Sequence, residues 1–197
     1  RARGVTGVRP CALPIYFGAA GVYSTRASDR GLIGFCTTGT TQRAVLPTFG
    51  KAPRYSSNPI AFAAPVSNGA PVVVDISLSK VARGKIMAAS KRGETIPEGW
   101  ALDADGNPTT DPKAALAGMM LPMGDAKGSA LALIVEVLAA TLTGANYSYE
   151  ATSFFDADGP PPGVGQFIIA VNPNGALGSV FSDRLEDLVR EIEAQDG

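Results

Sequence analysis

Glycine and proline constrain this chain more than any other feature. Of its 197 residues, 23 are glycine and 15 are proline, about a fifth of the chain against a background near 12%. Proline removes a backbone donor and glycine weakens the interior of a helix or strand, so long uninterrupted elements are excluded over most of the length. The same chain is 45% apolar, too hydrophobic for disorder. Together these facts describe a compact fold of short elements joined by many tight turns, with enough chain to bury a sizeable core.

Charge and histidine content narrow the function. Lysine plus arginine total 17 and aspartate plus glutamate 18, a net charge of −1. A nucleic-acid binder needs a positive excess to displace counterions from phosphates, so no nucleic-acid partner is expected. No apolar run approaches the ~18 residues of a membrane span, so no membrane partner is expected either. Histidine is absent. That excludes an imidazole general base, a Ser-His-Asp triad and a histidine-based zinc site within this sequence. Cys11 and Cys36 are the only cysteines, too few for a disulfide framework or a metal cluster, and no metal is expected. No secretory signal is visible, so a reducing cytoplasm is the expected setting.

Residues 5–15, Val-Thr-Gly-Val-Arg-Pro-Cys-Ala-Leu-Pro-Ile, resemble a translated sequencing adapter, and residues 1–16 are expected to be a non-native leader. Ordinary patterning begins at Phe17. Residues 18–30 predict a short helix closed by Gly31 at the C′ position. Leu32 to Thr38 predicts a buried strand, and residues 39–59 a loop. Pro71 to Ser77 is the clearest strand, a β-branched run that reads as wholly buried. A helix is predicted over 79–92, an irregular stretch with turn signals over 93–124, and a strand over 167–171. Residues 127–143 give the strongest helix. Leu131, Ile134, Val135, Leu138 and Leu142 fall on one face, and Leu133 and Val137 widen it, which predicts burial on most sides. The chain ends in an amphipathic helix with Leu185, Leu188, Val189 and Ile192 as its stripe and Asp183 with Glu186 as a capping box. No repeat or domain linker is visible, and the element order lacks the β-α-β alternation of a doubly wound sheet.

Neither a G-x-G-x-x-G fingerprint after a strand nor a P-loop occurs. Gly124-Asp125-Ala126-Lys127-Gly128 opens the long helix. A helix start suits an anion, and a lysine there is unfavourable against the dipole, so Lys127 either meets a negative partner or is simply solvated. Asp75 stands near its strand's end, where a ligand role and a turn role are equally open. Glu136 lies inside the apolar helix and must find a partner, for which a structural hydrogen bond is expected. Arg83, Lys85, Lys91 and Arg92 form a basic cluster, either a solvated face or a local anion pocket. Asp103, Asp105 and Asn107 match part of a calcium loop, but Gly106 and Ala114 stand wrongly for one, so a plain turn is expected.

Several strings taken in order carry a family resemblance: Ser57-Asn58-Pro59-Ile60-Ala61-Phe62-Ala63-Ala64-Pro65, Val74-Asp75-Ile76-Ser77, Ala82-Arg83-Gly84-Lys85-Ile86, Ile96-Pro97-Glu98-Gly99-Trp100-Ala101, Pro108-Thr109-Thr110-Asp111-Pro112, Lys127-Gly128 and Gly165-Gln166. From about residue 17 onward the chain resembles the malate/L-lactate dehydrogenase family of NAD(P)-dependent oxidoreductases. Relatives in that family include ureidoglycolate and sulfolactate dehydrogenases and the Δ1-piperideine-2-carboxylate/Δ1-pyrroline-2-carboxylate reductases. The resemblance implies an α/β fold: a mixed, largely antiparallel sheet with flanking helices, forming a non-Rossmann nucleotide-binding domain. It implies NAD or NADP as cofactor and a homodimer when full length. The implied substrate is a small 2-oxo or 2-hydroxy acid, malate- or lactate-like, with a cyclic imine such as Δ1-pyrroline-2-carboxylate as the alternative.

Residue by residue, the resemblance implies that Phe17, Gly18 and Ala19 line the nicotinamide side. Thr40, Asp75, Ile76, Ser77 and Lys127 would contact the cofactor, and Ser57, Arg83 and Gly84 would face the substrate. The family pattern places a catalytic histidine just before the Phe-Gly pair, where this chain has Tyr16, so no catalytic residue is assigned. An upstream Ser-His-Gly segment with a substrate-binding arginine, and a Pro-Gly-Glu segment toward the C-terminus, have no counterpart here. Residues 17–197 are therefore expected to be a cofactor-binding core, incomplete at both ends, that is inactive or weakly active alone. The alternative from another class is a nucleotide-binding module without turnover.

Overall fold

The computed structural model describes residues 17–153, 159–173 and 180–195. The expected leader at 1–16, with Cys11 and Tyr16, lies outside the described residues. In chain order the elements are α1 (Ala20–Ser28), β1 (Ile33–Thr38), β2 (Ile60–Ala64), β3 (Val72–Ile76), α2 (Arg83–Arg92), β4 (Ala101–Leu102), β5 (Pro108–Thr109), α3 (Pro112–Ala117), β6 (Met119–Met120), α4 (Ala126–Glu136), a π-helical stretch (Val137–Thr141), β7 (Gln166–Val171) and α5 (Val180–Glu193). Gly31 follows α1 at φ +74° and closes it as the sequence predicts.

Four strands form one antiparallel sheet in the order β3-β2-β1-β7. The pleat decides what each face meets. Cys36 pairs with Ala61 and Ile168 across the ladders, and Ala20 of α1 packs on them. Small residues on this face let α1 approach closely. A Cβ on Gly34 would run into the Ser24 backbone. Ile60 points to the opposite face and packs with Leu78, Ala132, Val135 and Ala139 of the α4 side. A second antiparallel sheet, β5-β4-β6, sits with α2 and α3 on a separate cluster of Val45, Ile86, Ile96, Ala101 and Met120. The α/β class with antiparallel sheets and flanking helices is as expected.

Several local expectations are corrected. β3 is an edge strand rather than a buried one: Val73, Val74 and Ile76 are 46%, 41% and 37% exposed. A β-branched run reports strand conformation, not position in the sheet. The long helix is not buried on most sides. Its buried face is Gly128, Ser129, Ala132, Val135 and Glu136, while Leu133, Ile134, Val137 and Leu142 are about half exposed. Close approach of the helix favours small residues over large ones, a preference that hydrophobic spacing does not register. The predicted helix over 79–92 begins only at Arg83, because Ser79 still bridges Pro122 and Met123 N–H donates to Leu78 O.

The stretch 93–124 is not irregular but contains β4, β5, α3 and β6. Two-residue strands are too short to show a period. The alanine-rich β2 was hidden for a related reason, since alanine is a weak strand signal. Asp183 and Glu186 do not make a capping box. α5 already runs from Val180, with Asp183 in its first turn. Asp183 accepts from Ser67 Oγ, and Glu186 from Asn68 Nδ2 at 3.4 Å, so both acids anchor the β2–β3 turn. No described helix is long and apolar enough to cross a membrane.

Cys36 is fully buried between α1 and the sheet. Burial first, and the nearby Asp75 charge second, push its thiol up from 9.0 to about 12. The thiol therefore stays protonated and shielded. Native protein treated with iodoacetamide at mildly alkaline pH is expected to leave Cys36 unmodified by peptide mapping, with full labelling in denaturant. Fast native labelling would contradict this packing.

Candidate functional site

The antiparallel ladder brings three chain ends to one end of the main sheet. β1 leaves there, β2 enters there and β3 leaves there. The residues just outside those strands are Thr40, Ser57 and Ser77, and all three line one cavity of about 350 Å³. Arg83 and Gly84, at the start of α2, complete it from the side. Five residues singled out from the sequence thus meet, though 44 positions separate Thr40 from Gly84.

Hydroxyls dominate the polar lining. Thr40 Oγ1 and Ser57 Oγ lie 3.2 Å apart. Ser77 Oγ lies 2.6 Å from Ser79 Oγ, which donates to Val81 O at 2.7 Å. Ser56 Oγ donates to Thr41 O at 3.1 Å. Gln42, also in the lining, holds φ +70°, a left-handed conformation that costs a non-glycine residue about 1 kcal/mol or more. Met87, Met120, Ala44 and Ala82 supply apolar wall.

Arg83 is the cation of this lining. One of its nitrogens, Nη2, donates to Leu116 O at 3.0 Å, which fixes the side chain. Its half-burial holds the guanidinium below its ordinary pKa, because desolvation disfavours the charged form. Among the described residues it forms no ion pair. A half-desolvated cation beside hydroxyl donors suits a small carboxylate, to which it offers a fork of N–H groups. The rest of the basic cluster is a solvated face: Lys85, Lys91 and Arg92 are exposed, and Arg92 pairs with Glu94 at 2.7 Å.

The other sequence candidates gather elsewhere. Asp75 Oδ2 accepts from Gly21 N–H at 2.8 Å, so the carboxylate ties β3 to the first turn of α1. A Cβ at residue 21 would lie 2.7 Å from that oxygen, so a larger residue there would displace the carboxylate. The negative charge also complements the positive end of the helix. Phe17 stacks on Tyr23 with centroids 4.1 Å apart, and Tyr23 Oη donates to Phe17 O. Phe17, Gly18 and Ala19 therefore lead into α1 directly opposite Asp75. Ile76 is exposed on the sheet edge. Lys127 is exposed in the first turn of α4 and lies outside the described cavity lining. Nothing among the described contacts joins Lys127 to Asp75. Their segments meet where Met123 N–H donates to Leu78 O, where Lys80 N–H donates to Leu121 O and at the Ser79–Pro122 bridge.

Asp103 makes the plain turn expected of it, accepting from the N–H groups of Asp105 and Asn107 at 3.0 and 2.8 Å. Those bonds hold its carboxyl below the usual range. Among the described residues no group of side chains fits a metal ion.

The cavity suits one ring and a small acid. Its volume is too small for a whole dinucleotide, which would have to extend across the surface outside it. Thr41, Gln42, Ser56, Met87 and Met120 were not singled out from the sequence. The Ser/Thr density over 37–41 and 56–57 was the available signal for the polar ones.

The model of the malate/L-lactate dehydrogenase family matches residues 4–197. A (2R)-3-sulfolactate dehydrogenase (NADP(+)) of Chromohalobacter salexigens is 47% identical over 182 residues, which are 92% of this chain and 54% of that protein. A Δ1-pyrroline-2-carboxylate/Δ1-piperideine-2-carboxylate reductase of Pseudomonas putida is 42% identical, over 85% of this chain and 49% of that one. Among solved structures, sulfolactate dehydrogenase from Methanocaldococcus jannaschii superposes with a TM-score of 0.88 at 36% identity, covering 98% of this chain and 55% of that one. The chain spans about half the length of the curated relatives it matches.

Asp75→Ala is expected to lower stability by about 1–2 kcal/mol in urea unfolding, the range for a hydrogen bond to a charged group with partial exposure. Unchanged stability would contradict the bond.

Proposed function

The chain belongs to the malate/L-lactate dehydrogenase family, and we propose that it binds and orients the reactants of a hydride transfer between NADP(H) or NAD(H) and a small 2-oxo or 2-hydroxy acid. The observation that carries this reading is the cavity itself, where a half-buried, unpaired guanidinium stands beside clustered hydroxyls. Arg83 holds the substrate carboxylate. Ser57, with Thr40 behind it, hydrogen-bonds the oxygen at C2. Ser77 stands across from them and meets the cofactor side. Gly84, with nothing within 4 Å of where a Cβ would be, leaves the approach to Arg83 open.

A bound nicotinamide supplies the hydride. Phe17, Gly18 and Ala19, fixed through α1 by Asp75, form the neighbouring wall, and Ile76 continues that wall along the sheet edge. Lys127, at the start of α4, fits a cofactor phosphate outside the cavity. Met87 and Met120 exclude water from the apolar side. None of the described lining residues is a carboxylate, imidazole or phenol, so their contribution is binding and orientation rather than proton transfer. We therefore expect weak turnover or none from this chain alone, with the full-length protein a cytoplasmic homodimer. The half-exposed Leu133, Ile134, Val137 and Leu142 offer a surface for such pairing.

A second reading keeps the same site and changes the substrate to a cyclic imino acid. The 42% identity to the Pseudomonas putida reductase favours it. Both substrates carry the carboxylate that Arg83 would hold, and they differ in the atom at C2. Titration of the NADPH-loaded chain with sulfopyruvate, malate- or lactate-type oxo acids and Δ1-pyrroline-2-carboxylate distinguishes the two.

For the chain itself, fluorescence titration with NADPH, then with pyruvate, tests the assignment. Arg83→Gln is expected to weaken pyruvate binding about 10- to 100-fold, the worth of a charge-assisted bond, and to leave NADPH affinity unchanged. Equal pyruvate affinity in the variant would refute the role given to Arg83. Absence of NADPH binding by the wild-type chain would refute the reading as a whole.

A further inference from the structure

Glu136 is the buried carboxylate of the described core, at 6% exposure. It closes α4 immediately before the π-helical stretch, and π-helical turns occur often at functional sites. It has no part in the chemistry above. Among the described residues it forms no ion pair, so hydrogen bonds alone compensate its burial. Its Oε1 accepts from Asn58 Nδ2 at 2.8 Å and from Ser148 Oγ at 2.5 Å, and its Oε2 accepts from Ser148 N–H at 3.2 Å.

Asn58 is the informative partner. It is fully buried and holds φ +37°, in the region that strains an L-residue. Its Nδ2 also donates to Ala132 O at 3.2 Å, one helical turn before Glu136, so its amide is clamped to α4 at two levels. Asn58 directly follows Ser57. The Ser57 carbonyl accepts from Leu78 N–H at 2.8 Å, and its hydroxyl lies 3.2 Å from Thr40 Oγ1. Ser57 is thus set from three directions: the exit of β3, the end of β1 and, through Asn58, the buried carboxylate.

A carboxylate fits this role where an amide does not. Both oxygens of Glu136 accept, and the fixed donors are the Asn58 amide on one and the Ser148 backbone N–H on the other. Glutamine would turn its own NH2 toward one of those fixed donors, leaving a buried donor facing a donor. We infer that Glu136 is a positioning residue for the cavity: through Asn58 it fixes the left-handed turn that presents the Ser57 hydroxyl beside Thr40. The effect on ligand binding rests on the proposed function, whereas the effect on the 57–59 turn does not.

The test is Glu136→Gln in the whole chain, read by hydrogen exchange and by titration. Exchange in a peptide spanning 55–60 is expected to rise about tenfold with β1 unchanged. The dissociation constant for pyruvate is expected to rise about fivefold or more with that for NADPH held within about twofold. Unchanged exchange over 55–60 would overturn the inference, as would a rise spread evenly over the molecule, which marks a merely structural role. Local loosening with undiminished pyruvate affinity would overturn it too. Asn58→Gly separates strain from positioning. Glycine accepts the positive φ but takes one donor from the buried Glu136, so stability is expected to fall; pyruvate affinity is expected to fall as in Glu136→Gln, and retained affinity would refute the clamp. Should Glu136→Gln fail to fold, Ser148→Ala removes one donor and is read the same way. If the wild-type chain binds neither NADPH nor pyruvate, the proposed function fails, and the exchange result alone decides the claim about Glu136.

Discussion

Antiparallel pairing of β2 with β1 on one side and β3 on the other brings Thr40, Ser57 and Ser77 together and sets the face of Asp75. Thr37 lies opposite Ile60, and Ile60 opposite Ile76, so the chain exits toward Thr40 and Ser77 and the entry from Ser57 share one end of the sheet. The same register directs Asp75, opposite Ala61, toward α1, where it meets Gly21. A slip of one residue in β3 would turn Asp75 to the α4 face and Ile76 toward α1. The hydrogen bond from Gly21 N–H to Asp75 opposes that slip. The position of the site therefore follows from the strand register.

Glu136 and Arg83 are handled in opposite ways. Glu136 is satisfied: three donors surround a buried carboxylate, and the result is a fixed turn at Asn58. Arg83 is left partly unsatisfied: one carbonyl bond orients it, and the remaining N–H groups carry a charge that burial disfavours. A satisfied buried charge contributes geometry, while an unsatisfied one at a cavity wall favours an incoming anion. The division between scaffold and binding surface thus falls within a stretch of strand ends only a few residues long.

Much of this was legible in the sequence, for physical reasons that differ by element. α1, β1 and β7 declare themselves because their turn residues and apolar patterns agree. The strand at 72–76 was legible as a strand but not as an edge, since pairing partners leave no mark on a single segment. The helix after Gly124 was legible as apolar, and Val135 is buried as its face predicts, yet the rest of its buried side is Gly128, Ser129, Ala132 and Glu136, where close packing rather than hydrophobicity decides. β2 and the two-residue strands gave no periodic signal. At the site, Thr40, Ser57, Ser77, Arg83 and Gly84 were named through the family resemblance, and their convergence depends on long-range pairing. Glu136 was recognised as needing a partner, but nothing local announced Asn58 or Ser148 as that partner, because 78 positions separate Asn58 from Glu136.

On the proposed function, the cavity at the sheet end receives a nicotinamide ring and a small carboxylate side by side. A crystal structure of the chain with NADPH and pyruvate tests it most directly. The carboxylate is expected within hydrogen-bond reach of the Arg83 guanidinium, with the ring between the Ser57 and Ser77 hydroxyls. Density for either molecule at a different surface, with the carboxylate away from Arg83, would contradict it.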